Sequence, residues 1–408
     1  HEGKKSRIDE LLALPDVDIC AQDNDGKTVL HHVAMINPGF QNDHKAISYF
    51  IGHNNNIANI QDNNGNTAVH CAVIAGGSDV DMLRELLNNP AVDPNIRNNN
   101  GDTPLMLAIR NSDFERIKLL LQCPTCDVNV GNNTNGLTPL MLAIGQGHDD
   151  IINTLLAQPG IIVHQKDDRG RTAMNVAVEY NNVDVLNTLL SWPNNVSVHW
   201  MVHNYDDLNR SLLYIAVENE NLDIVNILLA RPDVKVQGKS YKTLTSPIHI
   251  AVEKENLDIV NALMRCPETS VYLFDNQHRN AVHIAVEKEN LAIVKALLTG
   301  YGSPCTGKDA RNRVPLHIAV EKGNLDIVKV LLARENILSV NAKDDHLRTP
   351  LHIAVENGNI DIINALLPCQ YISLNIKDDQ GRTPLDIAKA KNYQSILVVL
   401  NDHIAKTK

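Results

Sequence analysis

The stretch His249–Val260 reads HIAVEKENLDIV, and it decides the fold because it returns. His283–Val294 reads HIAVEKENLAIV and His317–Val328 reads HIAVEKGNLDIV, each differing from the first at one position. A block that recurs at a fixed period marks a stack of small supersecondary units, none of which can bury its apolar face alone. Such a stack also tells against an enzyme. Its units contact mainly their neighbours, and the product is a long surface rather than a deep cleft.

Working outward from His249, the four residues that end on it align with eleven tetrads, beginning at Thr28, Thr67, Thr103, Thr138, Thr172, Ser211, Ser246, Asn280, Val314, Thr349 and Thr383. The intervals run from 34 to 36 residues, apart from two of 39. Every unit has the same grammar. An Asp/Asn-rich turn opens it, as in Asp378-Asp379-Gln380-Gly381. A short helix follows, started by Thr-Pro, where Thr caps and Pro at the first helical position gives up no useful hydrogen bond. A polar turn then leads to a second helix with apolar residues at helical spacing, such as Ile259, Val260, Leu263 and Met264. Prolines near its end, among them Pro90, Pro124, Pro267 and Pro368, stop it.

This grammar resembles the ankyrin repeat. Gly381-Arg382-Thr383-Pro384-Leu385 and Thr349-Pro350-Leu351-His352-Ile353-Ala354 stand where that family has G-x-T-P-L-H-x-A. The resemblance covers roughly residues 7–402. It implies an all-α solenoid of about eleven repeats plus a partial N-terminal one, each repeat a β-hairpin finger and two antiparallel helices. Fingers and first (inner) helices would line a concave groove, with the second (outer) helices behind. The expected division is 1–22 as a partial capping repeat, 23–402 as the repeat domain with its C-terminal cap at 378–402, and 403–408 as a polar tail. Ser6–Leu14 reads as an outer helix without its inner partner, so the chain is expected to be part of a longer protein. The final helix is expected at Tyr393–Leu400. The two long intervals place extra residues around Asn37–Lys45 and within Trp192–Arg210; insertions in repeat proteins fall in loops, often on the binding face.

The function implied is protein binding through the groove. Unit endings such as Leu86–Asn95 resemble those of ankyrin proteins of intracellular bacteria and some protists, which suggests a secreted effector acting in a host cytosol. The alternative is a targeting arm of a larger enzyme whose catalytic domain lies outside this chain. Nucleic acid is not an expected partner: the formal net charge is -11, and Lys and Arg form no run or stripe. Membrane insertion is not expected, since no apolar stretch approaches the roughly 20 residues needed. Seven scattered cysteines make no disulfide framework and fit a reducing, cytoplasmic compartment.

No catalytic, cofactor or metal site is expected. His31, His70, His249, His283, His317 and His352 recur one per unit, and ligands one repeat apart stand about 8–10 Å from each other, too far to share one zinc ion. They are expected to hydrogen-bond backbone across neighbouring repeats. Cys123-Pro124-Thr125-Cys126 has no second pair at zinc-finger spacing. The resemblance assigns the groove to the two residues after Ala-Val. The first is Glu in six consecutive units: Glu179, Glu218, Glu253, Glu287, Glu321 and Glu356. The second is Tyr180, Asn219, Lys254, Lys288, Lys322 and Asn357; earlier units have Ile74-Ala75, Arg110-Asn111 and Gly145-Gln146 instead. Two readings stay open. Like charges about 10 Å apart repel by only about 0.4 kcal/mol in water, so the Glu ladder is tolerable as a solvated by-product of duplication. Alternatively it is a contact row, with Lys254, Lys288 and Lys322 beside it and Tyr180, Trp192 and Trp200 as apolar anchors. Glu220, Glu255 and Glu289 replace the family's inter-helix Gly; either the Glu keeps a positive φ, with a backbone penalty that Gly would escape, or the Asn that follows each takes the left-handed conformation instead. Asn129, preceded by Asp127-Val128 and with Leu121 upstream, resembles an asparagine-hydroxylation acceptor.

Overall fold

The computed structural model describes residues 18–35, 44–77, 80–193, 202–299, 304–333 and 339–407. The Ser6–Leu14 helix, most of the first insertion and Trp200 lie outside them.

Each tetrad starts a helix, because its first residue closes the opening turn. Thr103 and Thr138 Oγ accept the backbone N–H of Met106 and Met141, at 3.3 and 3.2 Å. Where a Thr, Ser or Asn is followed three residues on by His, the imidazole answers the cap: the Thr349 N–H and hydroxyl lie 3.1 and 2.8 Å from His352 Nδ1, whereas at Val314 only the backbone N–H reaches His317 Nδ1, at 3.2 Å. The Thr349 arrangement is a capping box with an imidazole in place of the usual carboxylate. The inner helices that follow, such as Pro315–Lys322 and Pro350–Glu356, are short and buried along most of their length. Outer helices such as Leu257–Met264 are amphipathic: Ile259, Val260 and Leu263 are buried, while Asp258 faces solvent.

In the turn between the two helices, the first of the two alternatives holds. The left-handed residue is the Glu itself, with φ of 57° at Glu220 and 56° at Glu255 and Glu289. Asn221, Asn256 and Asn290 have φ near −86° to −89° and cap the outer helix, their Oδ1 accepting the N–H of Ile224, Ile259 and Ile293 at 3.0, 3.1 and 3.2 Å. Asn is among the best N-caps, and that demand outranks its tolerance of positive φ one position earlier.

The fingers are tight turns, and no strand occurs among the described residues. In one, the Asp309 N–H donates to Arg313 O at 2.9 Å and the Asn312 N–H to Asp309 O at 3.0 Å. Neighbouring fingers are joined near their tips by a backbone bond: Ala310 N–H to Gln277 O, Asp345 N–H to Arg311 O, and Asp379 N–H to His346 O. A single such rung is too short to register as a strand ladder.

By contacts the chain divides into two compact units, His1–Met201 and Val202–Lys408. Within each, inner helix packs on inner helix in chain order, and each inner helix packs on its own outer partner. The last helix runs Gln394–Thr407, through the stretch expected as a polar tail. Buried Ile396 and Leu400 continue to half-buried Ile404 at helical spacing, and no Gly or Pro intervenes to stop it. No helix among the described residues is long and apolar enough to cross a membrane.

Candidate functional site

The Glu ladder is built into a larger charge array that the sequence reading missed. In the Val314 repeat, Asp309 sits buried at the base of the finger, where its Oδ1 accepts the N–H groups of Arg311 and Arg313, each at 2.8 Å. Burial works against its charge, but these bonds and the Arg313 guanidinium outweigh it, so the carboxyl titrates below its ordinary value. Arg313 Nε meets Asp309 Oδ2 at 2.9 Å, and its Nη1 meets Glu321 Oε2 at 2.8 Å. Its Nη2 lies 3.7 Å from Glu287 Oε1 of the preceding repeat. Burial likewise opposes the charge of Arg313, and its acidic partners more than compensate, raising its pKa.

The same Asp–Arg–Glu set recurs as Asp167–Arg171–Glu179, Asp206–Arg210–Glu218, Asp275–Arg279–Glu287 and Asp344–Arg348–Glu356. Arg279 reaches back to Glu253 at 3.2 Å and Arg382 to Glu356 at 3.4 Å. Guanidinium and carboxylate therefore alternate from repeat to repeat. The Thr103 repeat holds an inverted version: Arg110, at the Glu position, makes a two-pronged pair with Asp102 at 2.8 and 3.1 Å. The signal was present in the sequence as an Asp, an Arg four residues on and a Glu eight further, but half of it lies on the finger rather than beside Ala-Val.

The ladder histidines lock the same fingers. The Thr67 N–H donates to His70 Nδ1, so the proton sits on Nε2, which donates to Asp102 O of the next repeat at 3.0 Å. His249, His283, His317 and His352 donate in the same way to the carbonyls of Arg279, Arg313, Arg348 and Arg382. One arginine thus takes an imidazole on its backbone and two or three carboxylates on its side chain. Burial pushes all six imidazoles below their ordinary pKa.

The lysine row is more loosely held. Lys254 lies 3.6 Å from Glu220, Lys288 3.5 Å from Glu253 and Lys322 3.9 Å from Glu289, all substantially exposed. Fingers and inner-helix ends enclose a cleft of about 710 Å³ lined by Gln277, Arg279, Glu287, Arg311, Arg313 and Lys322, among others. A second of about 260 Å³ shares Arg311, Arg313 and Glu321 with it.

Of the other expected residues, Tyr180 is 60% exposed and caps its inner helix, with its ring close against Gly145 of the preceding repeat. Trp192 is half-buried just after the Val183–Leu190 helix. Tyr205, from the same insertion, packs on Gly238, a structural plug. The Asn129 amide donates to Gly160 O at 3.0 Å and accepts the Ile162 N–H at 2.8 Å, a bridge repeated by Asn95 and Asn341. Burial raises the Cys126 thiol to about 12, that of an inert side chain. Among the described residues no group of His, Cys, Asp and Glu could hold a metal ion.

The family model for ankyrin repeats in three copies matches residues 1–98, 75–167, 115–199, 159–240, 213–309, 248–344, 287–378 and 316–408. These matches cover the whole chain, and it belongs to the ankyrin-repeat family, whose repeats are protein–protein interaction modules. No curated protein was found to match it, so the likeness to effectors of intracellular bacteria rests on the unit endings alone.

Proposed function

We propose that the chain binds a protein partner through the surface formed by its fingers and inner-helix ends, reading the eleven tetrads as eleven repeats of a domain spanning 23–402. The supporting observation is the double cleft of the second unit, where guanidinium, ammonium and carboxylate groups of successive repeats converge on one open surface. The outer helices turn Asp258 and Lys329 to solvent, and the cavity between two of them in the first unit, at Arg84, Leu119 and Gln122, is smaller, about 180 Å³. The binding residues in this reading are Glu253, Lys254, Glu287, Lys288, Glu321, Lys322 and Glu356 in the second unit, together with Glu218. Glu179, Tyr180 and Trp192 serve in the first. The carboxylates act mainly by fixing the arginines, and the lysines and arginines present the contacts. The test is a photo-crosslinking side chain placed at Gln277 or Lys288 and, separately, at Asp258 or Lys329. Protein adducts at the first pair and none at the second are expected in lysate; the reverse pattern moves the binding face to the outer helices.

A further inference from the structure

We infer that the double cleft takes an extended acidic segment of the partner, with Arg311 gripping a carboxylate at its centre. This rests on the cleft being the binding face, and it specifies what that face recognises. A ligand rich in basic groups, the natural reading of a Glu ladder, is disfavoured by the geometry. Glu253 has one oxygen on Arg279 and the other on Lys288. Glu287 divides its oxygens between Arg279 and Arg313, and Glu356 between Arg348 and Arg382. At these three a cationic ligand would have to displace an arginine or lysine already held in place; Glu321, half exposed and paired through Oε2 with Arg313, is the exception among the carboxylates of the larger cleft.

An anion meets the opposite situation. The larger cleft is lined by four cationic side chains, Arg279, Arg311, Arg313 and Lys322, against three carboxylates, on a chain whose net charge is -11; the smaller balances three arginines against three carboxylates, so the attraction for an anion is centred on the larger. Arg279 and Arg313 are fixed by their carboxylates with their pKa raised, so they remain charged and immobile. Arg311 differs from both. Its backbone is pinned, the N–H donating to Asp309 Oδ1 at 2.8 Å and the carbonyl accepting from the Asp345 N–H at 3.1 Å. Its exposed guanidinium makes no hydrogen bond or ion pair among the described residues, and it lines both clefts. A guanidinium on a fixed backbone, with its fork unoccupied, suits two-pronged capture of a carboxylate.

The length of the site favours an extended segment over a small anion. The two clefts run across the fingers at Asp275–Arg279, Asp309–Arg313 and Asp344–Arg348, two repeat steps of about 10 Å each. About six extended residues span that distance. Alternate side chains of such a segment point the same way, so acidic residues at every second position place their carboxylates along one face.

The probe is a fluorescein-labelled peptide of alternating glutamate and alanine, about eight residues long, with the lysine–alanine peptide as its counterpart and anisotropy as the readout at about 0.1 M salt. The glutamate peptide is expected to bind and the lysine peptide not. Arg311→Ala should weaken binding about tenfold, the loss of one charge-assisted fork, and Arg311→Lys should weaken it less. Since the Arg311 side chain is exposed and unengaged, both variants should keep the parent's circular dichroism and melting curve. Equal binding by Arg311→Ala, tighter binding of the lysine peptide, or no binding of the glutamate peptide overturns the proposal. If the peptide fails while Gln277 still crosslinks protein, the acidic specificity is wrong and the binding face stands; if both fail, both are wrong.

Discussion

Replacing Glu255 by Gly should stabilise the protein, although it deletes a charged side chain and inserts the residue most costly to order. The reason is the φ of 56° at Glu255. A side chain bearing a Cβ in the left-handed region carries a penalty of about 1–2 kcal/mol that glycine escapes. Against this stand two losses. The 3.2 Å bond from Asn290 Nδ2 to Glu255 Oε2 joins exposed groups and is worth about 0.5 kcal/mol. Glycine also has more freedom to lose, about 0.5 kcal/mol at the low end. The net gain is about 0.5 kcal/mol at one site. Glu220 and Glu289 have the same conformation and similar bonds, from Asn256 and Asn324 at 3.4 Å, plus exposed pairs with Lys254 and Lys322 at 3.6 and 3.9 Å that add only about 0.3 kcal/mol each. The sites stand a repeat apart, so the triple glycine variant should gain about 1 kcal/mol. Native-state hydrogen exchange is the suitable assay, because repeat arrays unfold in parts rather than all at once. Amides of the outer helices Leu257–Met264 and Leu291–Leu297 should exchange about fivefold or more slowly. The triple alanine variant removes the bonds but keeps the strain, and should exchange faster than the parent. Faster exchange in the glycine variant would show that the Glu bonds across repeats outweigh the strain, and would refute the reasoning.

Arg313→Met should destabilise its repeat by about 2 kcal/mol, less than the 3–5 for breaking a fully buried pair, because Asp309 keeps its two backbone N–H donors. A double-mutant cycle with Glu321→Gln should show coupling above about 0.5 kcal/mol; additivity would mean the pair contributes nothing. Stability should be flat with pH above the ordinary His range, near 6.5, and fall as pH drops below it. The unfolded chain then takes up protons that the six buried imidazoles, with their lowered pKa, refuse. A second decline follows at lower pH, as Asp309 and Asp378 are protonated through their depressed folded-state pKa. Denaturant midpoints measured from pH 8 to 5 check the first step, and a midpoint that rises toward pH 5 contradicts it.

The fold was legible because its signals are local. HIAVEKENLDIV carries a cap, an apolar stripe and a turn within twelve letters, and repetition made the pattern plain. The candidate site was half legible. The Glu positions were visible beside Ala-Val, but what neutralises them is an arginine eight residues earlier on a separate finger, and a second from the following repeat. Nothing in the spacing alone says that a finger folds back over the end of its own helix. At Glu255-Asn256 two preferences of Asn competed, left-handed backbone and N-cap, and only the position of the next helix decides between them. The closing helix was read as too short because polar letters after Leu400 hid the continuing stripe to Ile404.

The imidazole bonds also have a direction in time. Each runs from an inner helix to a carbonyl that comes later in the chain, 35 residues on for His31 and 30 for His249. On a ribosome adding about 5–20 residues per second, His249 is made some two to six seconds before its acceptor. Until then water must serve the imidazole, and the inner helix has no next layer to pack against. Every histidine repeat is therefore finished by its successor. Asp386 breaks the sequence of debts: its Oδ2 takes the N–H and hydroxyl of its own Thr383, at 3.0 and 2.7 Å. The histidines answer their own caps in the same way, but Asp386 makes no bond onward to a later carbonyl among the described residues, while Arg382 O of its finger completes the repeat before it.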